Sequence, residues 1–294
     1  MSETNKLQKN TIVLDVRVGL PGVTKKADMG QIEVDADKDS LRLTKEVLRS
    51  EHLDRARTAV YQAKKLIKAY ALKSPFREGT YLLPVPALDV VYNSLEKAQG
   101  EFERMADKFS ENYDAVVEDA KKRLGSQFNV RDYPPASVLR RRFYMSWELL
   151  SFDTPEENVL GKVLYKKELE KAQQRWQAAE GEVTLALREG LKDLIDHMLE
   201  RLTPGADGAV KTFKNASVDA VKEFLDTFSK RNVLGDGELE AMVEKAQRVL
   251  RNRDAKEIRD SEDVRVVVAN GLKKVAKELD GLVTSSKRKM NFED

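Results

Sequence analysis

Two stretches of this chain, from about Pro86 to Leu124 and from about Pro155 to Leu202, each carry one apolar stripe at helical spacing with no internal proline. A globular helix runs about 8 to 20 residues, so a periodic pattern about 40 residues long restricts the chain to a coiled coil, a helical array or an extended bundle. In the first stretch Leu88, Val91, Leu95, Ala98, Phe102, Met105, Phe109, Tyr113, Val116, Ala120 and Leu124 fall on one face; in the second Tyr165, Leu169, Ala172, Trp176, Ala179, Val183, Leu187, Leu191, Leu194, Met198 and Leu202 do so. The steps average about 3.6 to 3.7 residues, above the 3.5 of a strict heptad, which predicts nearly straight rods over a tightly wound zipper.

Ahead of the first rod the period changes. Ile12, Leu14, Val16 and Val18 share one face and Asp15 and Arg17 the other, the alternation of a strand, and Ile32 and Val34 repeat it briefly after the Gly19-Leu20-Pro21-Gly22 connection. A helix is expected from about Glu51 to Leu72, capped by Ser50 and stopped by Ser74-Pro75. Phe143, Met145, Trp147 and Leu149 return to strand period, so a minor sheet is expected to pair this segment with the N-terminal strands. After Pro204-Gly205 come three shorter amphipathic helices: one from Val210 through Phe228, one opened by Asp236-Gly237-Glu238, and one N-capped by Ser261, with a basic tail beyond Ser285. The expected fold is α-rich α+β, a long helical bundle or coiled-coil hairpin with a small antiparallel sheet at one end. Its expected division is residues 1–154, holding the sheet and the first rod, and 155–294, holding the second rod and the shorter helices.

Lys and Arg number 52 against 50 Asp and Glu. So even a balance is what the solvated faces of many helices produce, and it supplies no global field for a polyanion. Zero cysteines remove disulfides, thiolate catalysis and Cys-ligated metal, and two histidines, His52 and His197, cannot build a histidine-rich centre. The polar N-terminus lacks the apolar core of a signal peptide, and no run approaches the ~18 apolar residues of a membrane span. The chain is therefore read as soluble and cytoplasmic.

Few constellations carry chemistry. From Asp35 to Glu46, acidic residues stand at positions 1, 3, 5 and 12 of a twelve-residue segment, the side-chain ligand spacing of a calcium loop. Ser40 occupies the position that needs glycine, Arg42 stands where an apolar residue packs, and a strand precedes the segment where a helix should. A solvated acidic turn between strands accounts for the same residues, and no metal site is assigned. Arg140, Arg141 and Arg142, with Arg131 nearby and Tyr133, Phe143, Tyr144 and Trp147 interleaved, are the candidate binding residues: cations for phosphates, rings for bases. The aromatics are equally accounted for as core. Acid pairs such as Glu156-Glu157 and Glu180/Glu182 need burial before they do acid–base work. No Walker-type or dinucleotide-binding glycine motif occurs, so neither a catalytic residue nor a cofactor is assigned. Gly100, Gly181 and Gly190 inside the rods mark either close helix crossings or tolerated surface positions. Lys287-Arg288-Lys289 reads as a frayed, solvated tail.

The order of parts from Ile12 to Thr154 resembles an uncharacterised family of phage and prophage proteins, a domain of unknown function. The resemblance rests on the N-terminal strand, the following helix, the Phe76-Arg77-Glu78-Gly79-Thr80 turn running into Leu83-Pro84, the long helix with Gly100-Glu101-Phe102, and the Tyr144-to-Phe152 strand. Members are often encoded beside MoxR-like or CobS-like AAA+ ATPases. The resemblance thus implies an accessory or adaptor role in a bacterial host cell and supplies no catalytic residues. The expected function is a non-enzymatic assembly or adaptor protein working through helix faces, with a protein partner such as an AAA+ ATPase or a second copy of itself. The alternative is a nucleic-acid-associated protein using the Arg140–Arg142 strip.

Overall fold

The structure, a computed structural model, describes residues 5–151, 157–203 and 215–292. In chain order its elements are α1 (Lys6–Asn10), β1 (Thr11–Gly19), β2 (Thr24–Lys26), β3 (Thr44–Glu46), α2 (Glu51–Tyr70), β4 (Leu72–Lys73) and β5 (Thr80–Pro84). There follow α3 (Leu88–Glu111), α4 (Tyr113–Leu124), α5 (Ala136–Arg140), β6 (Tyr144–Leu150), α6 (Glu157–Leu160), α7 (Lys162–Leu202), α8 (Asn215–Arg231), α9 (Gly237–Leu250), α10 (Ala255–Asp260) and α11 (Glu262–Phe292). The fold is α-rich α+β, with a small antiparallel sheet in the order β4-β5-β1-β6 and a separate two-stranded ladder of β2 and β3. Among the described residues no helix is long and apolar enough to cross a membrane. The expected Pro155 start of the second rod, the Glu156 acid, the Pro204-Gly205 stop, and Val210 and Phe213 lie outside the described residues.

The chain forms two compact units, each assembled from separated segments. Met1–Leu14, Lys68–Leu88 and Leu149–Asp294 make the first; Asp15–Ile67 and Asp89–Glu148 make the second. The division therefore runs inside β1, α2, α3 and β6, where the sequence suggested contiguous parts meeting at 154 and 155.

The first unit is a helical bundle. α7 is the second predicted rod, 41 residues long, and Gly161 with φ of 73° separates it from α6. Trp176, Ala179, Val183, Leu187, Leu191, Ile195, Met198 and Leu202 of α7 are buried together with Val221, Leu225 and Phe228 of α8, Leu239, Val243 and Ala246 of α9, and Val268, Leu272, Val275 and Leu279 of α11. Each large aliphatic side chain so removed from water contributes about 1.5 to 3 kcal/mol, which fixes the register of the packed helices. α11 lies along α7 more extensively than any other helix pair packs, with α9 its second neighbour. It is 31 residues long, so the expected basic tail is helix instead: Val283 is buried and Lys287 is 2.8 Å from Glu189. Ser261 caps α11 as expected, its Oγ accepting from the Val264 amide, and Asp236 opens α9 by accepting from the Leu239 amide. β4 and β5 pair with Leu72 opposite Leu82, both buried in the same cluster as Leu7 and Val13.

In the second unit α2 buries Leu53, Ala56, Ala59, Val60, Ala63 and Ile67 on one face. The first predicted rod is two helices. Asn112 interrupts it, its amide and its side-chain nitrogen both donating to the Lys108 carbonyl, a side-chain insertion of the kind that kinks a helix. The apolar period survives because Phe109 and Tyr113 stay four residues apart with rings 5.9 Å between centroids. Phe143 is buried against Phe102 and Phe109, and Met145 beside it is buried too. Two strand expectations fail. Ile32 and Val34 lie outside any strand, and β2 pairs with β3 through Thr24 opposite Glu46. Along β1, Val13, Leu14 and Asp15 are all buried, so the clean alternation is lost; the Asp15 carboxylate is held by Arg17 at 2.8 Å.

Candidate functional site

The three arginines predicted to bind lie in the second unit at the turn from α5 into β6, and the fold divides their labour. Arg140 is half-buried, donating from Nε to Asp107 at 2.7 Å and from a terminal nitrogen to the Phe143 carbonyl, so it fastens the turn to α3. Arg141 and Arg142 are exposed and make no ion pair among the described residues. The interleaved aromatics do not form one strip with them. Phe143 is core, Trp147 meets Tyr92 edge-on at 5.9 Å, and Tyr133 stacks on Phe128 at 5.0 Å; Tyr144 alone of the four is more than half exposed.

The Asp35-to-Glu46 segment is exposed at all its acidic positions except the half-buried Glu46. Asp37 spends its carboxylate on its own turn, accepting from the Asp39 amide at 3.1 Å and the Ser40 hydroxyl at 2.8 Å. These bonds favour its charged form and lower its pKa. Glu46, the would-be twelfth ligand, pairs with Arg49 at 2.6 Å. Among the described residues no three His, Cys, Asp or Glu side chains cluster to hold a metal. His197 is exposed on α7, and Glu180 accepts a hydrogen bond from the Leu7 amide at 3.3 Å.

Two features of the first unit were not singled out from sequence. One is a salt-bridge knot. Arg188, 8% exposed, donates from Nε and a terminal nitrogen to the two oxygens of Asp236, from that nitrogen again to Glu238, and from the other to the Leu282 carbonyl and the Ser286 hydroxyl. All five of its N–H groups are used, which is what a buried guanidinium requires. The hint was a charged residue directly beside Leu187 on the apolar stripe; the partners, 48 to 98 residues away, were invisible.

The other is an open cleft of about 910 Å³ where the end of α2 and the β4–β5 hairpin face α7 and α8. Leu72, Val183 and Leu187 line it, with Lys68, Lys73, Glu78, Glu182 and Arg231 among its polar side chains. Arg231, the last residue of α8, lies over the Phe224 ring at 5.0 Å, and its Nε is closed off from solvent without a hydrogen-bond partner. Burial pushes its pKa down. No sequence signal marks it, because a helix-terminal arginine is ordinary.

α7 itself changes character along its length. None of residues 162–175 is buried, whereas Trp176 opens the packed stretch. Val163 is 75% and Leu164 47% exposed. Comparisons with protein families, with curated proteins and with solved structures find no match for this chain.

Proposed function

We propose that the protein is a non-enzymatic assembly or adaptor protein that holds another protein on a helical surface, in keeping with the accessory role that the phage-family resemblance implies. The observation that supports this reading is the first third of α7. Residues 162–175 continue the apolar stripe through Tyr165, Leu169 and Ala172 but bury these only partly, and Val163 and Leu164 beside it stay exposed. The same turns carry Lys162, Lys166, Lys167, Lys171 and Arg175 against Glu168 and Glu170. A basic helix with exposed Val163 and Leu164 suits a partner with an acidic surface and an apolar centre, in which charge steers the encounter and burial retains it. A second copy of the same segment is equally basic and repels it. α11 also covers the stripe from Trp176 onward, removing most of the motive for self-association. The nucleic-acid alternative draws no support from the geometry, since Arg140 is spent on Asp107 and Phe143 on the core.

Photo-crosslinking from benzoylphenylalanine placed at Val163, in the native host, tests the proposal. One dominant partner is expected, an AAA+ ATPase being the class that the resemblance suggests, and purified partner should bind with an affinity that falls with salt. Leu164→Glu or Lys166→Glu should weaken that binding. Binding indifferent to both substitutions, or a crosslink to a second copy alone, would overturn it.

A further inference from the structure

We propose that the cleft of the first unit is a binding site for a small amphipathic anion, a single carboxylate, sulfonate or phosphate joined to an apolar body, with Arg231 as its anion-binding residue. Among the arginines of the unit with nitrogens drawn out of water, Arg188 and Arg231 are treated differently. Arg188 uses every N–H on protein acceptors. Arg231 has no ion pair among the described residues, its Nε has no acceptor, and the Phe224 ring covers one face. Withdrawing a cation from water without a counter-charge is costly, and the carboxyl end of α8 compensates only through its diffuse dipole. An anion entering the cleft would supply the missing counter-charge, paired with the terminal nitrogens of the guanidinium fork.

The rest of the cleft sets the class of ligand. Its volume of about 910 Å³ lies within the roughly 300 to 1,000 Å³ of small-molecule sites. Leu72, Val183 and Leu187 give it an apolar floor that rewards a hydrocarbon or aromatic body. Lys68 and Lys73 add to the pull on an anion, while the exposed Glu78 and Glu182 carboxylates oppose accumulation of negative charge. That balance favours one anionic group and disfavours a polyphosphate or a nucleic-acid backbone.

The probe is 1-anilinonaphthalene-8-sulfonate, with neutral N-phenyl-1-naphthylamine and inorganic phosphate as arms that separate the apolar and ionic contributions. Saturable one-to-one binding of the sulfonate is expected to the full chain, with the neutral probe and phosphate each weaker by about tenfold or more. Arg231→Gln should weaken the sulfonate by about tenfold and leave the neutral probe unchanged. Ala186→Trp, an exposed α7 position lining the cleft, should displace both aromatic probes by filling the space. Near-ultraviolet circular dichroism establishes that each variant is folded. If Arg231→Gln does not fold, Ala186→Trp decides alone. Sulfonate binding that ignores Ala186→Trp, that ignores Arg231→Gln in a folded variant, or that the neutral probe matches, overturns the assignment.

Discussion

Arg188 and Asp236 are joined by two parallel hydrogen bonds, 2.7 Å from Nε and 2.9 Å from a terminal nitrogen, and the same carboxylate caps α9 through the Leu239 amide. One carboxylate thus fixes where α9 starts and how it meets α7, and the remaining Arg188 bonds to Leu282 and Ser286 add α11. Arg188→Met removes the cation and strands a carboxylate whose side chain is 8% exposed. A loss of about 3 to 5 kcal/mol in urea unfolding is expected. The double substitution Arg188→Met with Asp236→Ser removes both charges and keeps a capping oxygen, and should recover more than half of that loss.

The same pair sets a pH dependence. Burial pushes the Asp236 carboxyl up, but the Arg188 hydrogen bonds, the Leu239 amide and the Arg188 charge outweigh it, so its pKa lies below the ordinary carboxylate value. A carboxyl whose folded pKa is depressed contributes stability that is complete above its unfolded pKa, about 3.9 for Asp, and is lost as pH falls through the folded value. The stability gap between the wild type and the Arg188→Met/Asp236→Ser double variant should therefore narrow progressively below about pH 5. Acid titrations of both proteins followed by circular dichroism check it; a gap that stays constant to the end of the titration would show that the pair is not linked to protons.

Glycine substitutions separate crossing from surface. A Cβ on Gly271 of α11 would stand 2.7 and 2.9 Å from the two γ-carbons of Val249 on α9, closer than side chains approach. Val249 is β-branched and cannot swing aside cheaply. Gly271→Ala should therefore destabilise by about 1 to 3 kcal/mol despite its better helix propensity, and Val249→Ala should rescue it. Gly100→Ala on α3 meets nothing within 4 Å and should stabilise by about 0.4 to 1 kcal/mol. Gly190, whose nearest neighbour is Phe224 at 3.5 Å, tolerates a methyl as well. Of the glycines considered from sequence, Gly100 and Gly190 are thus not tight crossings, whereas Gly271, which was not singled out from sequence, is one. Thermal melts rank the three variants.

What was legible in the sequence was local. Helix caps such as Asp236 and Ser261 act within four residues, and the stripe from Trp176 to Leu202 repeats often enough to identify a buried face. The break at Asn112 left no trace because Phe109 and Tyr113 preserve the helical step across it. The last helix runs past Ser285 because Val283 is buried and Lys287 pairs with Glu189 of α7, a partner that no local pattern contains. Arg188 and Arg231 were not singled out, because tertiary burial, and no local pattern, distinguishes them from ordinary arginines. Arg140, Arg141 and Arg142 stand out in the sequence as a candidate binding strip, but which of the three stays free depends on Asp107, 33 residues from Arg140. Composition and period report how a segment presents itself; which groups it meets is decided by tertiary packing.

Tyr113 provides the last test. Its ring is 4% exposed, its hydroxyl has no hydrogen-bond partner among the described residues, and its pKa is pushed up to about 12, chiefly by burial, with Tyr133 adding to the rise and Arg142 opposing it. A phenol whose folded pKa lies above its unfolded value of about 10 favours folding below that value and loses its contribution as pH rises toward the folded one. Removing an unsatisfied buried hydroxyl while keeping the ring against Phe109 should be neutral or stabilising by up to about 1 kcal/mol at neutral pH. Tyr113→Phe should then become more stable than the wild type by a margin that widens under alkali, because the variant has no proton to lose from this site. Tyrosinate absorbance during alkaline titration should show one phenol fewer among the late-titrating groups in Tyr113→Phe. If that variant instead costs stability at neutral pH and its titration matches the wild type, the hydroxyl has a partner and Tyr113 is not the late phenol.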